Sequence, residues 1–168
     1  MFDAQDARTA IGVIIGQPFM EVGRIGHMAI LGFGREVSWA SAGTAELVTG
    51  RECALHVNCA FRMTQKARII FGSDDMYETL PVKRVSADDS MESRSIYDDR
   101  ADVIEKVLQN GSGIVQDVSV GAVGDLRIQL NSAVTIEVFP ASSTSAEAWR
   151  FLVRFGAHYS FPEGPSSP

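Results

Sequence analysis

One phrase occurs twice in this chain: Val22-Gly-Arg-Ile-Gly-His-Met-Ala-Ile30 returns as Val120-Gly-Ala-Val-Gly-Asp-Leu-Arg-Ile128, both reading V-G-x-(I/V)-G-x-(M/L)-x-I. Each copy follows a helix-like stretch, precedes two or three strand-like stretches, and is closed by an aromatic strand bearing arginine. An order of elements said twice constrains the fold more than any single element does. It predicts two tandem units, each a helix followed by an antiparallel meander, either as two lobes or around one shared core.

Hydrophobic periodicity supplies the elements. Ala7, Ala10, Ile11 and Ile14 stand at helical spacing and Gln17-Pro18 ends the run. Short strands are expected at 19–25, 28–33 and 37–41, with turns at Gly26 and at Gly34-Arg35. The clearest strand runs from 53 to 64. There Cys53, Leu55, Val57, Cys59, Phe61 and Met63 are apolar while His56, Asn58, Arg62 and their even-numbered neighbours are small or polar. Residues 69–71 read as its hairpin partner. In the second half, Ser95 or Asp98 can cap a helix whose buried stripe is Ala101, Ile104, Val107 and Leu108, with Asn110-Gly111 as its stop. Strands at 115–120, 126–130, 134–138 and 149–155 alternate cleanly, which argues for antiparallel sheets wet on one face. The expected class is α+β, divided as a first unit over 1–73, an acidic mobile linker over 74–94, a second unit over 95–162 and a disordered tail over 163–168.

Charge and composition exclude several classes of function. The chain has 168 residues and a formal charge of −6. Nine acids against four bases between Asp74 and Asp102 account for almost all of it. No basic stripe interleaved with aromatics remains to follow a phosphate backbone, so nucleic-acid binding is not expected. The acidic start lacks the basic region of a secretory signal, and no apolar run approaches the roughly 20 residues of a membrane span. A cytoplasmic protein without membrane attachment is expected. Cys53 and Cys59, six residues apart on an extended chain, would stand roughly 20 Å from each other and cannot pair. They are expected as reduced thiols.

Ala54-Leu-His-Val-Asn-Cys-Ala-Phe-Arg62, Gly72-Ser-Asp74, Ile136-Glu-Val-Phe-Pro140, Ser143 and Glu147-x-Trp149-Arg150 together resemble the signature of an uncharacterised bacterial family without an established activity. The resemblance spans residues 22–151. The chain departs from the pattern with Phe61 where a tryptophan is expected and Ala148 where a histidine commonly stands. The resemblance implies a cytoplasmic accessory protein and carries over no catalytic residue.

The residues that could carry chemistry are few. His56 shares the polar face of its strand with Asn58 and Arg62, and a hairpin that brought Asp74 or Asp75 near would make a His-Asp general base. A wet sheet face with cross-strand polar pairs is the commoner meaning of such a pattern. Cys59 and His56 fall on opposite faces and cannot act as nucleophile and base. Three histidines without H-x-x-x-H or C-x-x-C spacing make no metal site, and the glycines of 120–124 precede a strand instead of a helix that could hold a phosphate. No cofactor is expected. Arg127, Glu137 and Arg150 are expected to line up across strands as an ion-pair ladder. With no set of nucleophile, base and orienting group, the expected function is non-enzymatic protein interaction, adaptor or immunity-like, through His56, Asn58, Arg62, Arg127, Glu137 and Arg150, with a homodimer also compatible. The alternative is a small-molecule-binding protein or hydrolase using a cleft between the units near His56.

Overall fold

The computed structural model describes residues 1–41, 43–44, 46–79, 94–108, 110–111 and 113–166. Helix α1 (Ala4–Ile11) starts where Asp3 Oδ1 accepts hydrogen bonds from the Gln5 and Asp6 amides at 2.8 and 2.9 Å, and a 3-10 turn, Gly12–Ile14, extends it. Helix α2 (Ile96–Leu108) begins with a reciprocal cap: the Asp98 amide donates to Ser95 Oγ while the Ser95 amide donates to Asp98 Oδ2. On α2, Tyr97, Ala101 and Leu108 are buried, but Val107, expected in the buried stripe, is 55% exposed.

Among the described residues eleven strands follow the expected antiparallel pattern: β1 (Phe19–Ile25), β2 (Met28–Ala40), β3 (Leu47–Val57), β4 (Ala60–Gln65), β5 (Arg68–Gly72), β6 (Val115–Val120), β7 (Leu126–Leu130), β8 (Val134–Phe139), β9 (Trp149–Val153), β10 (His158–Phe161) and β11 (Gly164–Ser166). They form a six-stranded sheet in the order β1-β2-β3-β9-β10-β11 and a five-stranded sheet in the order β5-β4-β8-β7-β6. The inward rows of both sheets merge in one hydrophobic cluster that also takes in Ala7 and Ile11 of α1 and Tyr97 and Ala101 of α2. The architecture is α+β, and each half of the chain supplies strands to both sheets.

Three local differences from the sequence reading have physical causes. Gly34-Arg35 is a bulge inside one long strand instead of a turn: the register slips between Phe33 and Glu36, and Gly34 takes a φ of +80°. The alternating run 53–64 is two strands in different sheets. It breaks at Asn58-Cys59, where the Asn58 amide donates to Ala148 O at 2.8 Å and so ties the crossing from β3 to β4 to the return from β8 to β9. The apolar period runs through the break because both sheets face the same core. Finally, Gly164–Ser166 pairs with β10 where a disordered tail was expected. Residues 80–93, most of the expected acidic linker, lie outside the described residues. At its edges Ser73–Met76 forms a 3-10 turn and Thr79 bridges Ser95.

Candidate functional site

The outer face of the six-stranded sheet, opposite the core, carries His56, Arg150, His158, Glu21 and Arg154. Register aligns Ile30, His56, Arg150 and Ser160 in one row and Glu21, Gly32, Ala54, Leu152 and His158 in the next. The second row is a low floor. Ala54 and Leu152 are only 4% and 6% exposed although they face away from the core, because longer side chains close over them. Arg51 and Glu21 cross above Gly32, with Arg51 Nε 3.8 Å from Glu21 Oε2; a Cβ on Gly32 would stand 2.7 Å from Arg51 Cγ, so only glycine fits there.

Arg154 forms the far wall. Its guanidinium lies 3.8 Å over the Trp39 ring centroid. Gly50 allows this stack, since a Cβ there would approach Trp39 to 3.0 Å. The Arg154 amide donates to Glu52 O at 2.7 Å, which anchors the backbone. Its buried Nε has no hydrogen-bond partner, and among the described residues no carboxylate forms an ion pair with it. Burial lowers the pKa of this guanidinium, and Glu21 opposes the shift. By contrast Arg150 is satisfied by Glu147, whose Oε2 accepts from Nε at 2.9 Å and from Nη2 at 2.7 Å. His56 lies half-buried among these cations. Burial first, then Arg154 and Arg150, push its imidazole below the ordinary 6.5, and Glu147 acts in the opposite sense.

The expected site residues divide between two sheets. His56 and Arg150 are cross-strand neighbours. Arg62, Arg127 and Glu137 lie on the five-stranded sheet, where the register Arg127–Glu137–Arg62 builds a ladder with Arg62 Nε 2.7 Å and Arg127 Nη1 3.9 Å from Glu137. Arg62 also covers the Phe139 ring at 5.1 Å. The ladder therefore exists with Arg62 in the place expected for Arg150. Asn58 is exposed at the crossover between sheets.

The His-Asp pair does not form. Asp74 and Asp75 follow β5 in the other sheet, where Asp75 is engaged by Arg100 at 3.3 Å and by the Gly72 amide at 3.0 Å. Among the described residues no carboxylate hydrogen-bonds His56. Burial pushes both the Cys53 and the Cys59 thiols up to about 11, so neither is a thiolate near neutrality. No three His, Cys, Asp or Glu side chains among the described residues converge as metal ligands. The face thus carries a stacked guanidinium without an ion pair among the described residues, beside an imidazole whose protonation is opposed and a tethered arginine.

Arg154 and Trp39 did not emerge from the sequence as site residues. Their partnership spans three strands and more than a hundred positions. The alternation of Trp149, Phe151 and Val153 with Arg150 and Arg154 marked both arginines as outward-facing, and that was the only signal available. No protein-family model matches the chain, and no curated protein or solved structure matches it significantly.

Proposed function

We propose that this chain is a non-catalytic, cytoplasmic interaction protein, adaptor or immunity-like, that receives an acidic segment of a partner protein on the outer face of its six-stranded sheet. The observation that carries this reading is Arg154: half-buried, stacked on Trp39, with an unpartnered Nε and no ion pair among the described residues. A cation left uncompensated inside protein is costly, and an incoming carboxylate would relieve that cost with a charge-assisted bond. Apolar contact is to hand, since Phe155, next along the chain, is 76% exposed and Leu47 on the same β2–β3 arm is 69% exposed. Arginine and aromatic side chains gathered at one patch are what concentrates binding energy in protein interfaces. Affinity capture from native cells with wild type and with Arg154→Gln tests the reading. A partner retained by wild type at low salt, released at high salt and lost with R154Q supports it. The same partners at the same yield with both proteins refute it.

The duplicated order of the chain belongs to this proposal. Each sheet sets the three-strand block of one half beside the strands that close the other: β1-β2-β3 beside β9-β10 with β11 added at the edge, and β6-β7-β8 beside β4-β5. Each helix touches the first strand of the opposite half, α1 against β6 and α2 against β1. The segments before β1 and β6 pair with each other through Pro18 and Ile114. We read the chain as two copies of one unit with interlocked strands. In register, Leu55-His56-Val57 corresponds to Ile136-Glu137-Val138, and Ala60-Phe61-Arg62 to Ala148-Trp149-Arg150. On that correspondence His56 occupies the position of Glu137. In one unit Glu137 neutralises Arg62 across strands; in the other His56 stands at that position, Arg150 is held by Glu147 instead, and Arg154 is left for a partner.

A further inference from the structure

A second feature, remote from the His56 face, is a groove between α2 and the five-stranded sheet. It encloses about 360 Å³, within the range of small-molecule sites. Met63, Ile70, Val103, Ile104, Leu130 and Val134 form most of its wall. The polar side chains along it are Gln65, Arg100 and Ser132, and Gln65 is already engaged, donating to Ser132 O at 3.0 Å.

The groove has a polar mouth. Gln65, Ile70 and Arg100 also line an adjoining, more open hollow of about 440 Å³ whose rim is completed by Lys66, Arg68 and Ile69. Lys66 and Ala67 form the β4–β5 turn with φ values of 48° and 60°, so the hairpin presents its two cations from a tight corner. Among the described residues neither Lys66 nor Arg68 has an ion-pair partner, and the carboxylate paired with Arg100 is that of Asp75, at 3.3 Å. Three cations against one acid therefore stand where the apolar cavity opens.

We propose that this groove binds a single-chain carboxylate amphiphile, a fatty-acid anion whose hydrocarbon fills the cavity under α2 and whose carboxylate is held by Lys66, Arg68 and Arg100. The argument is charge complementarity joined to shape. An apolar cavity alone would accept any small hydrophobe, but a basic mouth selects an anionic head at the end of an apolar tail. Lysine and arginine suit that position because their own stems extend the apolar wall while their charges stay at the water boundary.

Calorimetric titration of the full chain with octanoate, decanoate and dodecanoate, each below its micelle concentration, tests the proposal. Affinity should rise about fourfold for each added CH₂ until the cavity is full. The double variant Lys66→Asn, Arg68→Gln changes only two exposed side chains at the tip of the β4–β5 hairpin, so it should fold as wild type does. It should lose at least tenfold in decanoate affinity and leave decanol binding unchanged. Ile104→Phe, confirmed folded by its melting curve, should block the tail and abolish binding of both. Absence of binding at every chain length overturns the proposal. So does equal affinity for decanoate and decanol, or binding to phosphatidylglycerol vesicles without binding of the free carboxylate.

Discussion

His56 is neutral at physiological pH because its own burial and the charges of Arg154 and Arg150 all oppose protonation. In the unfolded chain that opposition is gone and the imidazole regains a pKa near 6.5. As the pH falls from about 6.5 toward the lower folded value, the unfolded chain takes up the proton first, so the protein loses stability over that window. His56→Gln should flatten this part of the stability–pH curve, as measured by thermal melts between pH 7 and pH 5. A second residue-scale prediction contrasts two neighbours on the same run. Phe61, 3% exposed and edge-on to Phe71 and Tyr97, should cost about 3 to 5 kcal/mol when changed to alanine. Exposed Asn58, whose side chain has no hydrogen bond among the described residues, should cost little on the same change; urea melts of both variants check the ranking. The burial of Phe61 and the exposure of Asn58 were legible in the sequence, because period-two alternation records which side chains face a core whatever sheet they belong to. Arg154 was not, because a cation stacked on a tryptophan from another strand leaves no local pattern.

At the scale of elements, the second helix depends on a capping residue with two duties. Asp98 accepts from the Ser95 amide and hydroxyl and also holds Arg24 through two bonds of 2.7 and 2.9 Å, which fastens α2 to β1. Arg24 and Ser95 together keep its carboxyl well below the usual carboxylate range. The resulting stabilisation is complete above the unfolded pKa near 3.8 and is lost as the pH falls through the folded value. Asp98→Ala should cost about 1 to 2 kcal/mol at pH 7, chiefly through the lost cap. The partly exposed ion pair adds little, and the difference from wild type should shrink in urea melts carried toward pH 3. The sequence marked Ser95 and Asp98 as capping candidates because capping obeys a short local rule. It gave no sign that β3 ends at Val57, since the crossing at Asn58-Cys59 is fixed by a hydrogen bond to Ala148, ninety residues away. The Gly34 bulge was read as a turn for a related reason: glycine at positive φ serves either purpose, and only the continued pairing of β2 with β3 distinguishes them.

For the whole molecule, sharing of strands between halves makes folding a joint property. β3 needs β9 as its neighbour and β4 needs β8, so a fragment of residues 1–73 would leave two strand edges open and half of the core uncovered. It should lack dispersed amide signals in solution when expressed alone, and it should gain them when mixed with a fragment of residues 95–168. The repeated phrase does not match positions on like faces of the two sheets. Ile30 faces outward in β2 while Ile128 is fully buried in β7, which reverses the faces that the phrase equates. The polar face so exposed on the six-stranded sheet is where the proposed partner would bind, and the chain carries its own reporters there. It has two tryptophans: Trp39 lies beneath Arg154, and Trp149 is buried with its indole donating to Gly124 O at 2.6 Å. Titration of the labelled protein with a glutamate-rich peptide, followed by the two indole N–H signals, tests the central claim most directly. The Trp39 signal should move in a saturable, salt-sensitive way, with the Trp149 signal stationary and the response absent in R154Q. A Trp39 signal that stays in place while the peptide binds elsewhere, or that moves equally in R154Q, would contradict the account.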